Sequence, residues 1–324
     1  MIRTPVCGLL EIEHPIALGG MGSVYAPDLV AAVSNAGGLG ALGYHYLTPE
    51  QLRAGVAAIR AKTNKPFALN FLIFDMREES FAAALEARPR VMAFAWPRPE
   101  QDLKPIFARA HAIGAKVTFM AGGVPEAKRG VEAGADVIIA QGTEGGGHVS
   151  WVASLPLIPM VVDAVAPVPV LAAGGIADGR GLAAALSLGA DGVLLGTRFL
   201  ASQESPLHQN FKQAIVDADG HDTLLSEIPD LAAGVVWPGA MSRSKRNRFI
   251  DRWAGREWAL RRDRAAAIAD VQAARKSGDI EEAPLSMGQD AGLIHDIAPA
   301  GEIVMRIARQ AEEILARKLP RLVH

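Results

Sequence analysis

The chain has 324 residues, 50% of them hydrophobic and 21% charged, and its 33 Lys and Arg against 35 Asp and Glu leave a formal charge of −2. That suits one large globular domain or two modest ones, and it leaves no surplus of positive charge for general nucleic-acid or anionic-membrane binding. The single cysteine, Cys7, excludes an internal disulfide framework and a Cys-rich zinc site. Residues 1–15 carry no signal-peptide core and no run approaches the roughly 20 apolar residues that span a bilayer, so a cytoplasmic protein without membrane or nucleic-acid partners is expected.

From His14 to about Leu200, short apolar runs alternate with longer amphipathic stretches. The runs Ile16–Leu18, Leu39–Leu42, Phe67–Phe71, Val91–Ala95, Lys116–Met120, Val137–Ala140, Val168–Ala172 and Gly192–Leu195 predict eight strands. Their brevity and two-sided apolarity are what buried parallel strands need. Helices are predicted over Pro27–Ala36, Thr48–Lys62, Glu79–Ala87, Glu100–Ile113, Pro125–Ala133, Pro156–Ala166 and Gly179–Leu188. Thr48-Pro49-Glu50 reads as an N-cap followed by proline at the first helical position. Two helices end on Ala-Gly-Ala-Asp (133–136) and Leu-Gly-Ala-Asp (188–191), where glycine offers a left-handed cap into the next strand. Eight such units predict an α/β fold, a (β/α)8 TIM barrel, over an open doubly wound sheet.

After Leu200 the rhythm breaks. A helix over Pro206–Ala218 precedes an irregular stretch, 219–242, and a charged helical one, Arg243–Lys276. A loop, Ser277–Pro299, leads to an amphipathic helix, Gly301–Leu319, with Ile303, Ile307, Ala311, Ile314 and Leu315 on one face. The expected organisation is a barrel over 1–200, a mainly helical substrate or lid region over 201–300, and a closing helix over 301–324. The apolar face of that helix can pack on the barrel or pair two copies in a homodimer.

Glycine-rich turns carry the chemistry. Ala172-Ala173-Gly174-Gly175-Ile176 and Gly192–Phe199, with Gly196-Thr197, follow the seventh and eighth strands. In such barrels these two turns commonly hold a phosphate with backbone N–H groups. Thr197 adds a hydroxyl. After the sixth strand, Gln141-Gly142-Thr143-Glu144-Gly145-Gly146-Gly147-His148 places a histidine at the catalytic face, where it can act as a general base. A loop histidine bonded only to backbone is the bland alternative. Gly19-Gly20-Met21-Gly22-Ser23 follows the first strand and can line a planar ligand. Asn70 ends the third strand and needs a polar partner. Ser286–Ile294 is a glycine-punctuated loop able to cover the site.

Taken together, Gly-Gly-Met, Ser-Asn-Ala-Gly-Gly-Leu-Gly (34–40), Gly-Thr-Glu-Gly-Gly-Gly-His (142–148), Ala-Ala-Gly-Gly-Ile (172–176), Leu-Gly-Thr-Arg-Phe (195–199) and Gly-Gln-Asp-Ala-Gly-Leu-Ile (288–294) resemble the nitronate monooxygenase family, formerly 2-nitropropane dioxygenases. The resemblance runs from about Pro15 to Leu319. It implies an FMN-binding barrel in a family that includes flavin-type enoyl-acyl-carrier-protein reductases and NADH:quinone reductases. By this resemblance Gly174, Gly175, Gly196 and Thr197 hold the FMN phosphate. Gly20, Met21 and Asn70 line the isoalloxazine with Gln141 and Gly147 nearby, and His148 is the catalytic histidine.

Three departures from the family pattern fall near the substrate: Val149-Ser150-Trp151 after the histidine, Phe119-Met120-Ala121 after the fifth strand, and Asp290 in place of a serine. Trp151 and Asp290 are therefore the candidate substrate residues. His45, within Tyr44-His45-Tyr46, is a reserve base. The segment 243–264 holds nine Arg and Lys, which read as a solvated helical face or as a docking patch for NAD(P)H or an acyl-CoA. The expected activity is oxidation of alkyl nitronates and nitroalkanes by O2. The alternative is an NAD(P)H-dependent flavin reductase of a quinone or an enoyl thioester.

Overall fold

In the computed structural model, residues 1–21, 25–43 and 47–322 are described. Gly22 and Ser23 of the first glycine loop, and Tyr44-His45-Tyr46 with the reserve histidine, lie outside the described residues. The strands are β1 (Ile16–Leu18), β2 (Gly40–Gly43), β3 (Phe67–Leu72), β4 (Val91–Ala95), β5 (Lys116–Ala121) and β6 (Val137–Gln141). They continue with β7 (Gly147–Val149), β8 (Val170–Ala173), β9 (Gly192–Leu195), β10 (Thr223–Ser226) and β11 (Met241–Lys245).

Eight of these form a parallel sheet in the order β1-β9-β8-β6-β5-β4-β3-β2. A parallel bridge between Ala17 and Leu39 joins its edges, with Leu18 N–H donating to Leu39 O and Leu39 N–H to Ile16 O, both at 2.9 Å. The sheet is therefore a TIM barrel, as the eight apolar runs predict, and each strand lies within one or two residues of its expected bounds. The largest offset is at β8, which starts at Val170 because Pro167 and Pro169 cannot donate to the ladder.

The outer helices begin and end where the sequence signals lie. Thr48 Oγ1 accepts from Gln51 N–H while Gln51 Oε1 accepts from Thr48 N–H, capping the helix Pro49–Arg60. Gly134 and Gly189 take φ of +102° and +92° at the two helix-to-strand turns. The aspartate that follows each then accepts a backbone N–H of the neighbouring strand, Asp136 from Val117 and Asp191 from Val170.

Alternation along the strands sorts the core. Ile138 and Ala140 face the helices, while Val137 and Ile139 join Ala17, Ala41, Ala68, Ala93, Leu171 and Ala173 inside the barrel. Val6, Cys7, Leu10 and Ile12, in and just after the N-terminal helix Pro5–Leu10, belong to that inner cluster, so Cys7 is a buried packing residue. Five of the inner side chains, on Ala17, Ala41, Ala68, Ala93 and Ala173, are single methyl groups. They leave a narrow cavity reaching up to Asn70, Thr118 and Met120.

After β9 the chain leaves the barrel and returns only at the helix Ala300–Glu313, which packs beside Gly179–Ser187 and Pro27–Asn35 in the outer ring. Ile303, Val304, Ile307 and Ala311 are buried there. The intervening residues build a second apolar cluster around Phe211, Ile215, Phe249, Leu260 and Met287.

Two sequence expectations need correction here. The stretch 219–242 is not irregular: it holds β10, the helix Ile228–Ala233 and the start of β11. These strands pair antiparallel with β7 in the order β10-β11-β7. Arg243–Lys276 does not begin as a helix, since Arg243–Lys245 finish β11 and three helices, Arg248–Trp253, Glu257–Arg262 and Arg264–Ser277, follow. Ser242, Arg243 and Ser244 are all buried, so β11 lacks the period-2 burial that marks a half-buried strand, and its charged residues point away from a strand in the sequence.

Candidate active site

The barrel places its polar residues at one level. On β3, Ala68 points inward, so Asn70 does too; on β6, Val137 and Ile139 put Gln141 in the same register. Both stand at the C-terminal ends of their strands, the face where barrels of this type carry their sites. Asn70 Nδ2 donates to Gly20 O at 3.2 Å, the neighbouring-loop partner that its position demands. A Cβ on Gly20 would collide with the Asn70 side chain, so the first loop approaches β3 through glycine. Gln141 Oε1 is buried with no hydrogen-bond partner. An amide oxygen left that way costs about 1–3 kcal/mol unless something binds it.

The turns after β8 and β9 are built as the sequence implies. Gly174 and Gly175 both have positive φ, +92° and +75°, and a Cβ on Gly174 would stand 2.7 Å from Gly142 O. No atom lies within 4 Å of where a Cβ on Gly196 would be. Thr197 departs from expectation. Its Oγ1 accepts from Gly288 N–H at 2.9 Å and donates to Asp290, so the hydroxyl anchors the tail loop and only the backbone of Thr197 remains for a phosphate.

Asp290 is buried in that contact, with Arg198 nearby, and burial pushes its carboxyl up to about 7. This is a lock between the β9 turn and the loop 286–294, not a surface facing substrate. Arg198 completes the lock by donating to Asp296 Oδ1 at 2.8 Å. The loop 142–148 interleaves with the same segment: Gln289 N–H donates to Glu144 O at 2.9 Å. Glu144 itself caps the helix Ser154–Val165, accepting from Ser154 N–H and Oγ.

His148 is not in a flexible loop. It lies in β7, paired opposite Ser242 of β11. Its Nε2 is 2.8 Å from Asp230 Oδ1, and the two side chains are 17% and 11% exposed. The indole of Trp237 stacks on the imidazole, with centroids 3.4 Å apart and planes 12° from parallel. Phe74, beyond β3, and Trp96, beyond β4, touch that indole at 4.9 and 5.9 Å. The histidine thus sits at the barrel mouth, held from one side by a segment that the barrel does not contain. Gly147 adjoins it with open space where a Cβ would stand. Met21 packs between the outer barrel core and the second apolar cluster.

The structure therefore places Gly20, Asn70, Gln141, Gly174, Gly175 and Gly196 at the C-terminal ends of barrel strands, and His148 in β7 beyond β6, against Asp230 and Trp237. It does not bring Trp151 to them as a buried roof, because that side chain is 65% exposed. Asp230, Trp237, Phe74 and Trp96 were missed. An isolated Asp in Ile-Pro-Asp and a Trp-Pro-Gly turn carry no spacing signal that ties them to a histidine some 80 residues earlier.

The basic segment also reads differently in three dimensions. Arg243 is buried and donates to Thr143 O, Lys245 pairs with Asp222, Arg246 with Asp251, Arg248 and Arg252 with Glu282, and Arg262 with Asp263. Five of its nine basic residues pair with four carboxylates within residues 219–282, while Arg256, Arg261 and Arg264 are exposed. Among the described residues no cluster of His, Cys, Asp or Glu could hold a metal ion, and no helix is long and apolar enough to cross a membrane.

Comparison with known proteins agrees with this geometry. A family model for nitronate monooxygenase matches residues 3–84 and 77–310. A Mycobacterium tuberculosis protein named (3aS,4S,5R,7aS)-5-hydroxy-7a-methyl-1-oxo-octahydro-1H-indene-4-carboxyl-CoA dehydrogenase is 42% identical over 233 residues, 71% of this chain. The match spans 64% of that relative's length, just under two thirds. A Staphylococcus aureus protein named probable nitronate monooxygenase is 31% identical, covering 96% of this chain and 98% of its own. Among solved structures, FabK from Thermotoga maritima has a TM-score of 0.89 at 35% identity over the whole of both chains. The nitroalkane oxidase from Streptomyces ansochromogenes has a TM-score of 0.84 at 28% identity, covering 96% and 99%. By its motifs, its barrel and these relatives, the chain belongs to the nitronate monooxygenase family of oxidoreductases.

Proposed function

We propose that this protein is an FMN-dependent nitronate monooxygenase, oxidising alkyl nitronates and nitroalkanes with O2, with His148 as the base. The observation that carries the reading is the placement of His148 in β7 beyond β6, together with an orphaned amide oxygen, Gln141 Oε1, and the paired glycine turns.

The residues fit the cofactor. Gly174, Gly175, Gly196 and the Thr197 backbone would cradle the phosphate, because glycine leaves the backbone N–H groups of both turns free of a side chain that would block an anion. Asn70 and Gln141 would meet polar edges of the flavin ring, with Gly20, Met21 and Gly147 lining it. When bound, the flavin supplies the electron acceptor that O2 regenerates. His148 takes the proton from the carbon beside the nitro group, a step that general-base catalysis typically accelerates by about 10²–10⁴-fold. Met120 lines the barrel cavity and Phe74 packs on Trp237 beside His148, apolar groups that suit a small alkyl chain.

A second reading rests on one observation, the 42% identity to a CoA dehydrogenase. It keeps the barrel and the base but takes a thioester, or reduces a quinone or enoyl thioester with NAD(P)H. Both a nitroalkane and an acyl thioester lose a proton from carbon next to an electron-withdrawing group, so His148 serves either.

Anaerobic titration of the purified protein decides between them. Bleaching of the flavin absorbance by an alkyl nitronate, with no response to NADH or NADPH, is the expected result. Rapid bleaching by NADH or NADPH alone, or by an acyl-CoA, moves the assignment to the second reading.

A further inference from the structure

His148 is held by two residues from the segment between β9 and the last outer helix. Asp230, in the helix Ile228–Ala233, faces Nε2 at 2.8 Å, and Trp237 lies flat against the ring. Among the described residues no other hydrogen bond to the imidazole is found, so Nδ1 is the nitrogen left over. A carboxylate can only accept, so the ring nitrogen facing Asp230 carries the hydrogen. The backbone of His148 is fixed in β7, and the stacked indole, backed by Phe74 and Trp96, prevents the ring from turning over to offer its other edge.

We infer that Asp230 is a positioning residue: it keeps the proton of the neutral His148 ring on Nε2 and so makes Nδ1 the nitrogen that takes the substrate proton. This rests on His148 being the base proposed above. In the proton step the substrate C–H bond breaks, an Nδ1–H bond forms, and the electron pair stays on the substrate, delocalised over the nitro group. The imidazolium so formed is balanced by the Asp230 carboxylate, and Trp237 keeps the two aligned.

The test compares Asp230→Asn with Asp230→Ala in the flavin-loaded protein. The asparagine amide can donate to Nε2 and so drives the hydrogen to Nδ1, whereas alanine leaves both tautomers open. Nitrogen NMR of the imidazoles, with the His148 signal identified by its loss in His148→Asn, is expected to show Nε2–H in the wild type and Nδ1–H in Asp230→Asn. Turnover of neutral nitroalkane is expected to fall about 10²-fold or more in Asp230→Asn, less in Asp230→Ala, and mainly in kcat, in line with the loss of a general base. Preformed nitronate should be affected far less in both.

A wild-type tautomer in both Asp230→Asn and Asp230→Ala, or wild-type turnover of neutral nitroalkane in Asp230→Ala, overturns the inference. Should the tautomer switch while His148→Asn keeps full turnover of neutral nitroalkane, the proton placement stands and the reading of His148 as base falls. The two failures are therefore separable.

Discussion

The barrel ends and the segment that returns over them meet at one mouth but contribute different chemistry. The barrel offers mostly backbone: the glycine turns after β8 and β9, the Gly20 loop, and two short amides, Asn70 and Gln141. The returning segment offers side chains, Asp230 and Trp237 against His148, and Asp290 tied to Thr197. Backbone sites suit a ligand common to many reactions, because any sequence with glycine in the right turn presents the same N–H groups. Side chains brought in by the returning segment suit, under the proposed function, the part specific to one reaction, the substrate and the proton.

The largest effect should come from His148, where the two regions meet. His148→Asn is expected to lose about 10²–10⁴-fold in turnover of neutral nitroalkanes and much less with preformed nitronates, measured in steady state. Equal losses on both would remove the proton step from the returning segment and leave the barrel to do all the chemistry.

Next is the barrel side. Gly174→Ala puts a Cβ at 2.7 Å from Gly142 O on a residue with φ of +92°. Destabilisation of about 1–3 kcal/mol, read by denaturant melts, should accompany a lower flavin-to-protein ratio after purification. A variant that keeps full flavin would show that this turn is only a tight corner.

Asp290 tests the seam between the regions. Burial raises its carboxyl from an ordinary 3.8 to about 7, so the folded chain holds that proton more tightly than the unfolded chain. The stabilisation is complete below about pH 4 and is lost as pH rises through 7. Asp290→Asn escapes this loss, and its stability relative to wild type should improve by about 2–3 kcal/mol between pH 5 and pH 8. A constant difference across that range would mean that Asp290 is charged and satisfied in the lock.

The smallest effect concerns the basic surface. Arg262 is exposed, pairs with its neighbour Asp263 and lies over the ring of Trp258. Arg262→Ala should leave the thermal midpoint and the KM for any nicotinamide donor unchanged. A raised KM would support a docking role for this basic segment.

Much of this was legible beforehand, for identifiable reasons. Eight buried strands read clearly because each is a short apolar run, and their helices because Thr48, Gly134 and Gly189 mark the ends. Asn70 was legible as a polar residue closing an apolar strand, whereas Gln141 read as the start of a loop and joined the site only through the family resemblance. The partners of the Thr197 hydroxyl were not legible, because a hydroxyl at a phosphate turn and a hydroxyl that anchors a loop look alike in sequence. Trp151 was overvalued because nearness to His148 in the chain does not fix the direction of a side chain. β11 was hidden, since alternating serine and arginine suggested a charged helix.

Local sequence determined the barrel, its glycine corners and the arrival of His148 at the C-terminal face, because these depend on propensities and turns spanning a few residues. Only the tertiary structure decided which nitrogen of that histidine is engaged, which tryptophan covers it and which aspartate is enclosed at the seam. Those outcomes depend on segments far apart in the chain coming within 3–4 Å of each other, a matter of packing that no single stretch of residues encodes.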